Sequence, residues 1–144
     1  MEISESAALA ASEVRVTFGR LRRRLRAVAS TTDLTPSQES VVSRLDKTGP
    51  ASASDLAVAE RVRPQSMAAT VAALVELGFV ERTPDPGDGR KQLISLTTAG
   101  ADRLQGDRQV RQEWLATTLQ ERCTEAQRQT VIEALALLDE VTQA

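Results

Sequence analysis

The sequence predicts a mainly α fold carrying one small β-hairpin. Three observations lead there. Apolar residues recur at spacings of three and four through long stretches at both ends of the chain. Helix-start signatures follow one another at short intervals between those stretches. One segment, Phe79-Val80-Glu81-Arg82 and Leu93-Ile94-Ser95-Leu96 around a loop holding Pro84, Pro86, Gly87 and Gly89, has the brevity and turn residues of two paired strands. A chain of 144 residues suits one domain with a moderate core, built alone or in a dimer.

From Ala7 to Ser30 the residues Val14, Phe18, Leu21, Leu25 and Val28 share one seam, which predicts a long packing helix. Thr35-Pro36-Ser37-Gln38 then offers a cap, a first-turn proline and a glutamine placed to reach back, opening a helix that ends near Thr48-Gly49-Pro50. Ser52 caps a short helix through Leu56, Ala57 and Ala59. Pro64 opens the next one, with Met67, Val71, Leu74 and Val75 on its buried side and Gly78 as its stop. The strands Phe79 to Thr83 and Leu93 to Leu96 follow. A long helical pattern then runs from Thr97 past Trp114, Leu115 and Leu119, and Thr124-Glu125-Ala126-Gln127 starts a last helix through Val131, Leu135 and Leu138.

Composition removes several function classes. The sole Cys123 excludes an internal disulfide, and with no histidine the usual zinc sites are missing too. No cofactor or metal is expected, and no catalytic residue: the chain has no glycine-rich phosphate loop and no nucleophile beside an evident base. Phe18, Phe79 and Trp114 are the only aromatics, too few for a base-stacking platform, so any nucleic acid bound is expected to be duplex. No apolar run approaches the ~20 residues of a membrane span. The opening Met1-Glu2-Ile3-Ser4-Glu5 lacks the basic and apolar regions of a signal peptide, so the expected compartment is the cytoplasm.

A net charge of −2 argues against nucleic acid, but the charge is unevenly spread. Arg15, Arg20, Arg22, Arg23, Arg24 and Arg26 share their segment with no acid, while Glu121, Glu125, Glu133, Asp139 and Glu140 crowd the far end. These arginines do not form one stripe. Their simplest reading is a solvated exterior paired with the acidic C-terminal helices, and the alternative is an anion-binding cleft or contacts to DNA phosphates.

Short helix, turn, longer helix and hairpin together make a winged helix-turn-helix. At Leu56-Ala57, Pro64-Gln65-Ser66-Met67, Leu74 to Val80 and above all Asp88-Gly89-Arg90 through Leu96-Thr97-Thr98-Ala99-Gly100, the chain resembles the MarR (multiple antibiotic resistance regulator) family of bacterial transcription factors. The resemblance implies a single domain over 1–144: a winged helix-turn-helix at 35–97, flanked by dimerisation helices at 7–30 and 98–144. It implies a homodimer on double-stranded DNA, most often a repressor on a pseudo-palindromic operator, released by a small anionic or aromatic effector whose site the sequence does not place.

On that reading the helix from Pro64 to Leu77 enters the major groove and the hairpin tip the neighbouring minor groove. Gln65 and Ser66, with Thr70 behind them, face base edges or phosphates. Arg90 is the minor-groove contact, with Lys91 beside it, and Asp88 positions the tip by pairing with Arg90. Many relatives carry a basic residue where this chain has Ala69, which leaves Arg61, Arg63 and the wing as cationic anchors. Val14, Phe18, Leu21, Trp114, Leu135 and Leu138 are the expected dimer contacts. Cys123 reads as an idle or buried thiol rather than a redox switch, and Trp114 as a packing residue rather than a ligand platform. The second class of function is a winged helix used as a protein-interaction module without DNA, to which the net charge and Ala69 give weight.

Overall fold

The computed structural model describes residues 1–29 and 34–144, so Ser30, the last residue of the expected first helix, lies outside the described residues. The elements run α1 (Glu5–Val28), α2 (Pro36–Thr48), β1 (Ala51–Ser52), α3 (Ala53–Glu60), α4 (Pro64–Glu76), β2 (Val80–Pro84), β3 (Gln92–Leu96), α5 (Thr98–Arg122) and α6 (Glu125–Thr142). This is the mainly α fold with a small hairpin that the sequence predicts, enlarged by one strand. β3 lies between β1 and β2, both antiparallel to it, with Ala51 opposite Ile94 and Val80 opposite Leu96. The chain falls into two compact units, Ala29–Gln109 and Met1–Val28 with Val110–Ala144.

Local chemistry sets the element boundaries. Thr35 Oγ1 accepts from the Gln38 N–H at 3.2 Å while Gln38 Oε1 accepts from the Thr35 N–H at 3.0 Å, a complete capping box. Ser52 caps α3 through the Asp55 N–H at 3.1 Å, and Thr124 with Gln127 repeats the box at α6. Helix α4 ends in a Schellman pair: the N–H groups of Gly78 and Phe79 donate to the carbonyls of Val75 and Leu74, each at 3.0 Å, with Gly78 at φ +79°.

The core of the Ala29–Gln109 unit is Val41, Val42 and Leu45 of α2, Leu56 and Ala57 of α3, Met67, Val71 and Leu74 of α4, Val80 of β2 and Ile94 of β3. Burying each large side chain contributes about 1.5–3 kcal/mol at most. An isolated helix of eight residues such as α3 does not persist in water, so this shared core is what holds it.

The Leu96-Thr97-Thr98-Ala99-Gly100 run works as a backbone knot. The Thr97 N–H donates to the Phe79 carbonyl at 3.1 Å, Thr97 Oγ1 donates to the Gly78 carbonyl at 2.6 Å, and the same oxygen accepts from the Gly100 N–H at 3.1 Å. One threonine therefore ties the end of α4 to the start of α5. Gly100 is buried, and a Cβ there would stand 2.0 Å from the Phe79 carbonyl oxygen.

In the other unit neither α1 nor α6 buries a side chain. Val14, Leu21, Leu25, Trp114, Leu115 and Leu138 are half-buried, while Phe18 and Leu135 are exposed. The Arg24 guanidinium stands 5.2 Å over the Trp114 ring, and Arg111 Nε donates to the Leu25 carbonyl at 3.2 Å. Among the described residues the acids Asp107 and Glu125 of the C-terminal helices pair with Arg103 and Arg128 of their own helices rather than with the α1 arginines the sequence offers. Among the described residues, the contact of this set is Arg24 with an aromatic face, a geometry that a flat guanidinium reaches without a carboxylate. Cys123 is a half-buried free thiol.

Substituting Gly100→Ala is expected to lower the unfolding free energy by about 3 kcal/mol or more, because backbone must move to admit the methyl group. Gly106→Ala, in open space on the same helix, should raise it by roughly 0.5–1 kcal/mol. Denaturant midpoints at fixed protein concentration read both, and a Gly100→Ala variant as stable as the parent would refute the knot.

Candidate nucleic-acid interface

The turn between α3 and α4 gathers Arg61, Arg63, Pro64, Gln65 and Ser66, all exposed. Arg61 ends α3 in the left-handed region, φ 55° and ψ 44°, with its N–H on the Val58 carbonyl at 3.2 Å and the Val62 N–H on the Ala57 carbonyl at 3.0 Å. Arg63 occupies the N-cap position of α4 without a side-chain capping bond, and Pro64 fills the first turn. The first-turn amides of α4 thus lack the side-chain partner that Thr35, Ser52 and Thr124 supply at α2, α3 and α6.

Met67, Val71 and Leu74 are buried, so the opposite stripe of α4, at spacings of four and three, is Gln65, Ala69, Ala72 and Glu76, all exposed. Between Gln65 and Glu76 this stripe is small and uncharged. Ser66 and Thr70 sit to one side of it, lining a cleft of about 240 Å³ with Pro36, Ser37, Ser40, Glu60, Val62 and Met67. The Thr70 hydroxyl donates to the Ser66 carbonyl at 3.0 Å, which occupies its proton and leaves its oxygen as an acceptor.

The hairpin tip is organised by two aspartates. Asp85 Oδ1 accepts from the Gly87 N–H at 2.8 Å, and Asp88 Oδ1 accepts from the Arg90 N–H at 3.1 Å, with the Lys91 N–H on the Asp88 carbonyl at 3.0 Å. Asp88 does position the tip, but through the backbone amide of Arg90 rather than its guanidinium. A side chain this short meets the amide two residues on more readily than the end of a long one. The Arg90 and Lys91 side chains stay exposed at the tip.

Three other arginines of this unit are occupied, while Lys47 of α2 is exposed and has no acid partner among the described residues. Arg44 Nε donates to Glu60 Oε1 at 2.8 Å, Arg103 pairs with Asp107 at 3.4 Å and lies over Phe79, and Arg108 meets Asp46 at 3.0 Å. Arg61, Arg63, Arg82, Arg90 and Lys91 have no acid partner among the described residues.

Glu60 is the sequence neighbour of Arg61, and it is tied elsewhere. Besides Arg44, it accepts from the Ser40 hydroxyl at 2.8 Å, and its side chain is 15% exposed. Burial pushes its pKa up, but the Arg44 hydrogen bond, the Ser40 hydrogen bond and the Arg44 charge outweigh burial and hold it below the ordinary glutamate value. Sequence reading missed this bracket, because Arg44 and Glu60 are sixteen residues apart. Its one local trace is Ser40 and Arg44 four apart at the polar edge of α2.

Comparison with known proteins follows this geometry. A MarR family model matches residues 34–91. An HTH-type transcriptional regulator from Mycobacterium tuberculosis is 40% identical over 115 residues, covering 80% of each chain, and one from Mycobacterium leprae is 39% identical over the same length. A solved transcriptional regulator from Pseudomonas aeruginosa superposes with a TM-score of 0.84 at 30% identity, over 99% of each chain. A mutant of MarR from Escherichia coli does so at 0.72 and 25% identity, over 96% of this chain and 98% of its own.

The sign of the Glu60 shift fixes a pH dependence. A carboxylate with a folded pKa below its unfolded value adds stability that is present above the unfolded pKa and disappears as pH falls through the folded one. Glu60→Gln should therefore cost about 1–2 kcal/mol at pH 7, and the deficit should close as the medium is acidified below the ordinary glutamate range. Urea midpoints of both proteins across pH 3–7 read this, and a deficit that does not vary with pH would remove the charge from the bracket.

Proposed function

The chain belongs to the MarR family of transcriptional regulators, and from that premise we propose that it binds duplex DNA as a homodimer on a pseudo-palindromic operator, as a repressor. The observation that carries the reading is the placement of unpaired cations. Arg61 and Arg63 stand at one end of a helix whose outer stripe is small and nearly uncharged, and Arg90 and Lys91 stand at the hairpin tip of the same compact unit. Elsewhere in that unit Arg44, Arg103 and Arg108 are neutralised within the fold.

A major groove admits α4 closely, because Ala69 and Ala72 project little. Gln65 then meets base edges, while Ser66 and Thr70 on the cleft side meet backbone or sugar. The uncapped amides of the first turn and Arg63 suit a phosphate. Arg90, presented on a tip that Asp88 fixes, suits the narrow minor groove with Lys91 alongside. The net charge of −2 does not oppose this, since binding depends on the local field of the face and not on the total.

Dimerisation follows from the unit that lacks a core. Phe18, Val131, Ile132, Leu135, Leu137 and Val141 are exposed on two helices that bury no side chain. A second copy covers such a surface with a self-complementary one. Val14, Leu21 and Leu138, half-buried, line the same two helices, and the half-buried Trp114 lies on α5. Release by a small anionic or aromatic compound completes the proposal, and a thermal-shift screen scored against loss of DNA binding reads it.

Arg90→Ala is expected to weaken binding to a duplex selected by the parent protein by about 1–3 kcal/mol and to shallow its salt dependence by about one counterion. Fluorescence anisotropy across a salt series measures both, and an unchanged affinity and slope would falsify the wing assignment. Leu135→Glu should weaken the dimer by about 3 kcal/mol or more, by placing an unpaired charge in the interface. Sedimentation equilibrium that finds the variant as dimeric as the parent would take Leu135 out of the contact.

A further inference from the structure

The two sharp helix ends of the reading head have the same hydrogen-bond pattern and different residues at the critical place. After α4 the left-handed position is Gly78, at φ +79°, where a residue without Cβ sits unstrained. After α3 the matching position is Arg61, at φ 55°, which is the one described residue other than glycine with positive φ. The same 6→1 and 5→2 bonds close both ends, from Val62 to Ala57 and Arg61 to Val58 in one, and from Phe79 to Leu74 and Gly78 to Val75 in the other. Glycine is thus the residue this turn asks for, and a long cation stands there at a cost to stability.

The surroundings give that cation nothing to do inside the fold. Arg61 is exposed, with no acid partner among the described residues. Its own neighbour Glu60 is held on the other side by Arg44 and Ser40, and Arg44 also reaches the Ala59 carbonyl at 3.4 Å. The bracket therefore does two things at once: it fixes the last turn of α3, and it keeps the nearest carboxylate from neutralising Arg61 and Arg63. Apart from Glu76 at its far end, α4 carries no charge, so the turn must supply what the helix lacks.

We propose that Arg61 is kept in a left-handed position against folding stability because its guanidinium grips a DNA phosphate at the entrance of α4, a sequence-independent contact held in place by the Arg44–Glu60–Ser40 bracket. This rests on the duplex-binding reading above. A phosphate contact sets register and affinity for every sequence alike, whereas a base contact separates one sequence from another.

The test compares the full-length parent, Arg61→Gly, Arg61→Lys and Arg90→Ala at one protein concentration. The probes are two fluorescein-labelled duplexes of about 30 base pairs, one selected by the parent from a randomised pool and one with its sequence scrambled. Arg61→Gly is expected to melt about 2–5 °C higher, to bind both duplexes several-fold more weakly by the same factor, and to shallow the salt slope by about one counterion. Arg61→Lys, with charge and strain both kept, should match the parent in melting temperature and salt slope. An Arg61→Gly variant that melts at or below the parent's temperature overturns the strain. Unchanged affinity and slope overturn the phosphate contact, and if Arg90→Ala still weakens binding, the duplex reading stands without Arg61. A loss confined to the selected duplex makes Arg61 a base contact and overturns the assignment. A parent that binds neither duplex overturns the duplex reading and this inference together.

Discussion

The first turn of α5 lies directly on the backbone of Gly78 and Phe79, and the geometry of α4 and the hairpin is referred to that crossing. Thr97 alone makes three of the bonds there, and Gly100 leaves room for the Phe79 carbonyl. Because the same two residues end α4 and lead into β2, the crossing fixes the exit of α4 and the root of the hairpin in one step. β3 returns to it at Leu96, paired with Val80. A displacement of α5 by the width of a methyl group would thus be transmitted to helix and hairpin together, since packed backbone does not absorb such shifts gradually.

Electrostatics follows from which acids the fold captures. In the Ala29–Gln109 unit, Asp46, Glu60 and Asp107 hold Arg108, Arg44 and Arg103, and the Asp85 and Asp88 carboxylates accept backbone amides of the hairpin loop. Acids are thereby kept from the turn before α4 and from the side chains at the tip. A chain of net charge −2 can present a cationic face by this means, with few cations but unopposed ones. Their attraction to a polyanion is long-ranged only within a Debye length of about 10 Å at moderate salt, so position counts for more than number.

What the sequence disclosed and what it withheld divide along contact order. Thr35 with Gln38, Ser52 with Asp55 and Thr124 with Gln127 are contacts of three residues, and each was legible as a pattern of side-chain types. Gly78 as a stop and the two hairpin strands were legible for the same reason. β1 was not: two residues give no periodicity, and their strand character comes from pairing with Ile94 and Leu93, far along the chain. In Ser52 the cap signal hid the strand, since one residue serves both. The positions of Gln65, Arg90 and their neighbours were legible from the helix and hairpin that carry them. The Glu60 bracket was not, and neither was the left-handed backbone of Arg61, because no local pattern separates an arginine after a helix from an arginine within its cap. Asp88 was read as the partner of a guanidinium, when the backbone amide of the same residue lay closer to hand.

The two units differ in what holds them. Ala29–Gln109 has a closed cluster of buried side chains drawn from three helices and two strands, and needs no partner to bury it. The helices of Met1–Val28 and Val110–Ala144 bury no side chain among the described residues, and what ties them is a cation over Trp114, a bond from Arg111 to backbone and half-buried leucines. A second surface, in the proposed dimer, removes Phe18, Ile132 and Leu135 from water, each then contributing on the order of 1–2 kcal/mol. On the proposed dimer, folding of the helical unit and association are therefore one equilibrium. Anything that favours one arrangement of those helices over another, a bound molecule included, shifts that equilibrium by its differential affinity for the two.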